Sequence, residues 1–122
     1  MSRPVIAVID DQRFICETID SMLRSSYEVH AFVSGESALK YIAENPVDFV
    51  LLDYDMPEMS GYEVLMTLKA DPGTSKTPVV FLSAEKNERM KMQMIERGAA
   101  DYICKPIDSS LLHSCIKQFL PE

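Results

Sequence analysis

Phe49-Val50-Leu51-Leu52-Asp53 is a run of apolar residues stopped by a carboxylate. With no polar break, such a run cannot be the half-wetted strand of a two-sided surface. It reads as a strand buried on both faces, as in a parallel sheet whose faces are covered by helices. The same form occurs upstream in Val5-Ile6-Ala7-Val8-Ile9, which ends at Asp10-Asp11, and downstream in Asp101 to Lys105, where Tyr102-Ile103-Cys104 ends at Lys105. Val79-Val80-Phe81-Leu82, ending at Ser83, is a further run. Pro4, Pro46 and Pro78 immediately precede the runs from Val5, Val47 and Val79, at the strand starts where a missing N–H costs least. Tyr27 to Phe32 is more alternating and is expected at a sheet edge. In a parallel sheet the ligand crevice lies beyond the carboxyl ends of the strands, so the polar groups that end these runs should meet.

Amphipathic helices fill the intervals. Ile15, Ile19, Met22 and Leu23 form one apolar stripe. Ser34 is placed to cap a second helix, with Ala38, Leu39 and Ile42 inward. Ser60-Gly61-Tyr62-Glu63 is a capping box ahead of Leu65 and Leu68. Asn87 to Arg97 forms a fourth helix that Gly98 ends as its C′ residue. Asp108 or a following serine starts a fifth, with Leu111, Leu112, Cys115, Ile116 and Phe119 toward the core. Met90, Met92 and Met94 cannot all face inward, because residues two apart point to opposite sides of a helix. At least one should be exposed, and this helix with the Tyr102 strand is a candidate partner surface. Right-handed crossovers then fold the chain into an α/β, doubly wound sandwich.

The 122 residues suffice for one domain, residues 1–122, and 47% hydrophobic content for one ordinary core. A net charge of −7 disfavours direct binding to nucleic acid or to an anionic membrane surface. The first apolar run is too short for a secretory signal or a membrane span, so a cytoplasmic location is expected. Cys16, Cys104 and Cys115 contain no CxxC pair and read as free core thiols. His30 and His113 have no second ligand at metal spacing and read as structural.

If Asp10, Asp11 and Asp53 converge, their mutual repulsion must raise at least one pKa unless a cation intervenes. Carboxylates and carbonyls without His or Cys favour a hard ion, and Mg2+ suits a site shared with phosphate. Lys105 adds a second positive charge. A metal and an ammonium around one carboxylate provide what phosphoryl transfer depends on, positioning and neutralisation of three oxygens.

With these residues in place the sequence resembles a receiver domain of the two-component response-regulator family along essentially its whole length. The resemblance rests on Val8-Ile9-Asp10-Asp11, Leu51-Leu52-Asp53-Tyr54-Asp55-Met56-Pro57, Ser60-Gly61, Pro78 to Ala84, Gly98-Ala99, Asp101-Tyr102 and Lys105-Pro106, in that order. It implies a (βα)5 fold with one five-stranded parallel sheet in the order 2-1-3-4-5. It also implies that Asp53 accepts a phosphoryl group from a histidine kinase or phosphotransfer protein. Asp11 would bind Mg2+ directly and Asp10 largely through water, alongside Asp53 and the backbone carbonyl of Asp55. Lys105, its bond to Pro106 cis, would pair with the phosphoryl oxygens. Ser83 would donate its hydroxyl to them, and Tyr102 would turn inward when Ser83 moves, switching the fourth-helix and fifth-strand surface toward an effector domain or protein. Asp55 and Glu85 would flank the phosphoryl group and set its lifetime. Serine at 83 replaces the commoner threonine and keeps the donor; Ile107 stands where many members have phenylalanine.

Two other functions use similar chemistry. Asp53-Tyr54-Asp55 also resembles the nucleophile motif of haloacid-dehalogenase-like phosphatases, but those carry it on the first strand with the acidic pair late, the reverse of this chain. A receiver fold that takes no phosphate and acts as a binding module is the other. Flavin binding is disfavoured because no Ser/Thr/Gly-rich loop follows the first strand. The output, and whether the receiver stands alone or belongs to a longer chain, is open at this level.

Overall fold

The computed structural model describes residues 3–84 and 86–120. Strands and helices alternate in the order β1 Val5–Ile9, α1 Arg13–Leu23, β2 Glu28–Phe32, α2 Gly35–Glu44, β3 Phe49–Asp53, α3 Gly61–Ala70, β4 Val79–Ser83, α4 Glu88–Glu96, β5 Asp101–Cys104 and α5 Ser109–Phe119. All strand pairs are parallel, and the sheet order is β2-β1-β3-β4-β5, as the resemblance implies.

The unbroken apolar runs are explained by two cores, one on each side of the sheet. Ile6, Val8, Phe49, Leu51, Val80, Leu82 and Ile103 point to the side covered by α1 and α5, where they meet Ile19, Leu23, Leu112 and Ile116. Their strand neighbours Ala7, Ile9, Val50, Leu52, Val79, Phe81 and Tyr102 face the side of α2, α3 and α4, against Ala38, Val64, Leu65 and Met94. Every residue of β3 and β4 is buried. Each large side chain so enclosed contributes roughly 1.5–3 kcal/mol. Hence a polar residue at the end of either strand is held on a rigid support.

The caps fall where expected. Ser34 Oγ accepts from the Ser37 N–H, Ser60 and Glu63 complete their capping box, and the side chains of Asn87 and Asp108 cap α4 and α5. Gly98, at φ 115°, takes the left-handed turn that ends α4. One expectation fails: Leu111 is 54% exposed. Leu112, Cys115 and Ile116 are the buried residues of α5, and at about 100° per residue Leu111 lies at the margin of the stripe they form, where the sheet does not cover it. In α4, Met94 is buried and Met92 is 62% exposed, with Met90 between these extremes. Tyr27 is buried but precedes β2, and Lys105 lies one residue past β5.

The cysteines are free. Burial pushes the Cys115 thiol up to about 11 and the Cys16 thiol upward too, so neither is a nucleophile at neutral pH. Among the described residues, no helix is long and apolar enough to cross a membrane.

Candidate functional site

Parallel alignment brings the ends of β1, β3, β4 and β5 to one edge. Asp10 follows β1, Asp53 is the last residue of β3, Ser83 is the last of β4 and Lys105 follows β5. Carboxylate oxygens of Asp10, Asp11 and Asp53 lie within 4.8 Å of one another. Asp10 and Asp53 are buried, and Asp11 opens to solvent. Lys105 Nζ stands 2.9 Å from Asp10 Oδ2 and 3.4 Å from Asp53 Oδ1, so one ammonium joins the first and third strands' acids. The Lys105 N–H donates to the Ser83 carbonyl at 2.8 Å, extending the β4–β5 ladder to the residue that carries this charge.

Each buried group is held from behind. The Gln12 N–H donates to Asp10 Oδ1 at 2.9 Å, and the Asp10 N–H donates to the Phe32 carbonyl at 3.0 Å. The Cys16 thiol donates to the Asp10 carbonyl at 3.3 Å. Sequence reasoning read Cys16 only as a core thiol, and nothing in its apolar surroundings points to that carbonyl. On the other side of the pocket the 54–60 loop returns to the sheet through a bond of 3.1 Å from the Gly61 N–H to the Tyr54 carbonyl. Glu58 in this loop has φ 66°, a left-handed conformation that costs a residue with a side chain about 1 kcal/mol.

Gly61 is required by contact rather than by dihedral angle. A Cβ there would press on the backbone oxygen of Asp53 and stand 2.9 Å from Tyr54 Cα. Both obstacles are backbone and cannot rotate away. We expect Gly61→Ala to cost about 2–3 kcal/mol and lower Tm by roughly 10 °C in a calorimetric scan. A Tm within a degree of wild type would show that the loop gives way freely.

Among the described residues the electrostatics follow from three acids facing one base. Burial, then the charge of Asp10, raise the Asp53 carboxyl to about 7 against the lowering influence of Lys105. For Lys105, burial is the largest single influence and pushes downward, but contact with Asp10 and the charge of Asp53 outweigh it and the net shift is upward. Lys105 is therefore a fixed cation. It does not satisfy the pocket: Asp10 Oδ2 is fully buried and, despite the near ammonium, has no well-directed hydrogen bond among the described residues. An orphaned buried carboxylate oxygen beside two more carboxylates suits a hard divalent cation.

Ser83 is 1% exposed, and Tyr102 is 8% exposed with its hydroxyl 3.7 Å from Met90 Sδ on α4. Thus Tyr102 packs inward and touches the helix beside it. Asp55 is exposed in the loop after β3, and the Lys105–Pro106 bond is cis. Glu85 lies outside the described residues.

Residues 6–117 match the model of the response regulator receiver domain. The chain belongs to that family. Rice two-component response regulator ORR11 is 35% identical over 120 residues, covering 97% of this receiver and 82% of that protein. A Vibrio cholerae protein named a probable cyclic di-GMP phosphodiesterase is 38% identical over 120 residues, but they cover 98% of the receiver and only 27% of the relative. Among solved structures, the BeF3-activated receiver domain of DrrB, a Thermotoga maritima protein, superposes with a TM-score of 0.88 at 30% identity, covering 98% of this chain and 99% of that one. The protein is a two-component response-regulator receiver, and the phosphatase reading of Asp53-Tyr54-Asp55 falls with that membership.

Proposed function

We propose that Asp53 is the phosphoacceptor of this receiver, that Asp10, Asp11, Asp53 and the backbone carbonyl of Asp55 hold Mg2+, and that residues 1–122 act as one switching unit. The observation that carries the reading is the position of Lys105 Nζ between Asp10 Oδ2 and Asp53 Oδ1, at 2.9 Å and 3.4 Å, in a pocket of three carboxylates. One carboxylate oxygen of Asp53 attacks the phosphorus of a phosphohistidine on a kinase or phosphotransfer protein. The P–N bond breaks, its electron pair stays with the imidazole nitrogen, and the acyl phosphate remains on Asp53. Mg2+, when bound, offsets the carboxylate repulsion and the charge on the phosphoryl oxygens.

Lys105 neutralises a phosphoryl oxygen from the β5 side, and Ser83 donates its hydroxyl to another. Moving Ser83 toward that oxygen changes the packing against Tyr102, and Tyr102 passes the change to α4 through Met90. The α4–β5 surface, with Met92 exposed, is where an effector domain or protein reads the state. The chain is a switch whose only chemistry is gaining and losing its own phosphoryl group.

The test is the intact mass of the protein after incubation with Mg2+ and a small acyl phosphate. Wild type should gain one phosphoryl group and Asp53→Asn none. No gain in wild type would favour the binding-module reading. Asp55 and Glu85 affect a different step: substituting either should change the decay rate of the acyl phosphate severalfold while changing the yield little. Equal decay in both variants and wild type would remove these residues from the hydrolytic step.

A further inference from the structure

At the edge of the sheet opposite β5 the geometry points to a second interface, separate from the α4–β5 surface. We propose that β2 pairs antiparallel with β2 of a second copy of this chain, about a two-fold axis at Ala31, joining two receivers through one continuous sheet.

β2 is an edge strand, hydrogen-bonded to β1 on one side. The Glu28 N–H donates to the Pro4 carbonyl and the Phe32 carbonyl accepts from the Asp10 N–H, so the even-numbered residues of β2 direct their backbone groups at β1. Backbone direction alternates along a strand, so Val29, Ala31 and Val33 direct theirs at the open edge. Edges are ordinarily blunted by short length, charged side chains (lysine above all), proline, a bulge or covering chain, and of these β2 has only its five-residue length and Glu28 at its first position. Glu28-Val29-His30-Ala31-Phe32 contains neither proline nor lysine, it keeps unbroken register with β1, and Ala31 and Val33 are exposed.

The side chains fit a two-fold about Ala31. Antiparallel pairing there sets Ala31 against Ala31 and Val29 against Val33 as hydrogen-bonded pairs, which uses the outward backbone groups. His30 then faces Phe32 in the closer, non-bonded pair. Such β-branched and aromatic cross-strand pairs are favourable.

Charge fixes the occupant as a second copy. Val29, Ala31 and Val33 line a shallow groove of about 260 Å³ whose other wall is Arg13, Glu17 and Asp20 of α1. That wall is basic at one end and acidic at the other. A two-fold axis at Ala31 reverses it, bringing Arg13 of each copy toward Asp20 and Glu17 of the other. Asp20 also pairs with Arg24 of its own helix at 3.3 Å, but Arg24 is well exposed and Asp20 partly so, and such surface pairs exchange readily. Because β2 and β5 are opposite edges, the joined pair leaves both α4–β5 faces outward.

Sedimentation velocity on the full chain tests this. One short strand and one helix face form a small interface, so wild type should move from monomer toward dimer between about 10 µM and 1 mM. Ala31→Lys, at an exposed position, should stay monomeric throughout that range. Arg13→Glu and Asp20→Arg should each be monomeric alone, since each sets like charges against one another at both ends of the paired walls, yet an equimolar mixture should dimerise because opposite charges then meet at both ends. Circular dichroism would confirm that each variant is folded. Wild type monomeric at about 1 mM, or a dimer that Ala31→Lys leaves intact, overturns the proposal. A mixture that fails to associate overturns the two-fold at Ala31.

Discussion

Asp53→Asn is expected to abolish phosphoryl uptake and, in the same molecule, to raise the Tm of the metal-free protein by about 5–10 °C at pH 8. The reason is the pocket's unrelieved charge. Among the described residues three carboxylates within 4.8 Å face a single ammonium, and the Asp53 carboxyl is raised from its ordinary value near 3.8 to about 7. A group whose pKa is higher folded than unfolded contributes stability that is complete below the unfolded pKa. That contribution is lost as pH rises through the folded pKa. Wild type should therefore lose stability between pH 4 and pH 7 from this group, by an amount on the order of a few kcal/mol. Asparagine does not titrate, so the gap between variant and wild type should open across that window and stay constant above it. Mg2+ should narrow the gap by stabilising wild type more than the variant. Thermal scans at pH 5 and pH 8, each with Mg2+ or with chelator, give the comparison. A variant less stable than wild type at pH 8 without metal would mean that Asp53 is held mainly by favourable contacts, and the case for a cation site would weaken.

Much of this pocket was legible in the chain because buried parallel strands leave a plain record. Short apolar runs rich in β-branched residues, opened by proline and closed by a polar group, read as strands covered on both faces, and the polar residue that ends each run then lies at the sheet's carboxyl edge. Asp10, Asp11, Asp53, Ser83 and Lys105 were all found this way, and the structure brings Asp10, Asp11, Asp53 and Lys105 into one cluster. Boundaries were less exact. Val47 and Asp48 precede β3, and the Val5 N–H donates to Asp48 Oδ2, a bond between distant segments that no local pattern announces. Leu111 was misplaced because it sits at the margin of the apolar stripe of α5, between burial and exposure. Which wins depends on where α5 sits against the sheet. The Cys16 thiol behind Asp10 and the close approach at Gly61 were hidden for a similar reason: each is a contact between elements. The open edge of β2 was legible as alternation, but the charge polarity of the α1 wall beside it has meaning only once the two are seen in one groove.

Lys105→Met should have the opposite effect on stability from Asp53→Asn, although both remove a charge from the same pocket. Methionine keeps the length and most of the volume of lysine, so packing changes little. What is lost is the sole cation placed 2.9 Å from Asp10 and 3.4 Å from Asp53 among the described residues. Removing one partner of a buried ion pair leaves the other charge uncompensated, at about 3–5 kcal/mol. Here two buried carboxylates lose that compensation, and Asp53, whose carboxyl already stands at about 7 with the ammonium beside it, is driven further toward its protonated form. The metal-free variant should thus unfold roughly 10 °C or more below wild type at pH 8. Lowering the pH to about 5 should recover much of the loss, because protonation replaces the missing cation. Saturating Mg2+ should recover part of it at pH 8, since the metal meets the same carboxylates. Adding Asp10→Asn to Lys105→Met separates this account from a packing defect. If charge is the cause, the double variant at pH 8 should be more stable than Lys105→Met alone. If the methionine simply fits badly, the second substitution should add to the damage, and the electrostatic reading of the pocket fails.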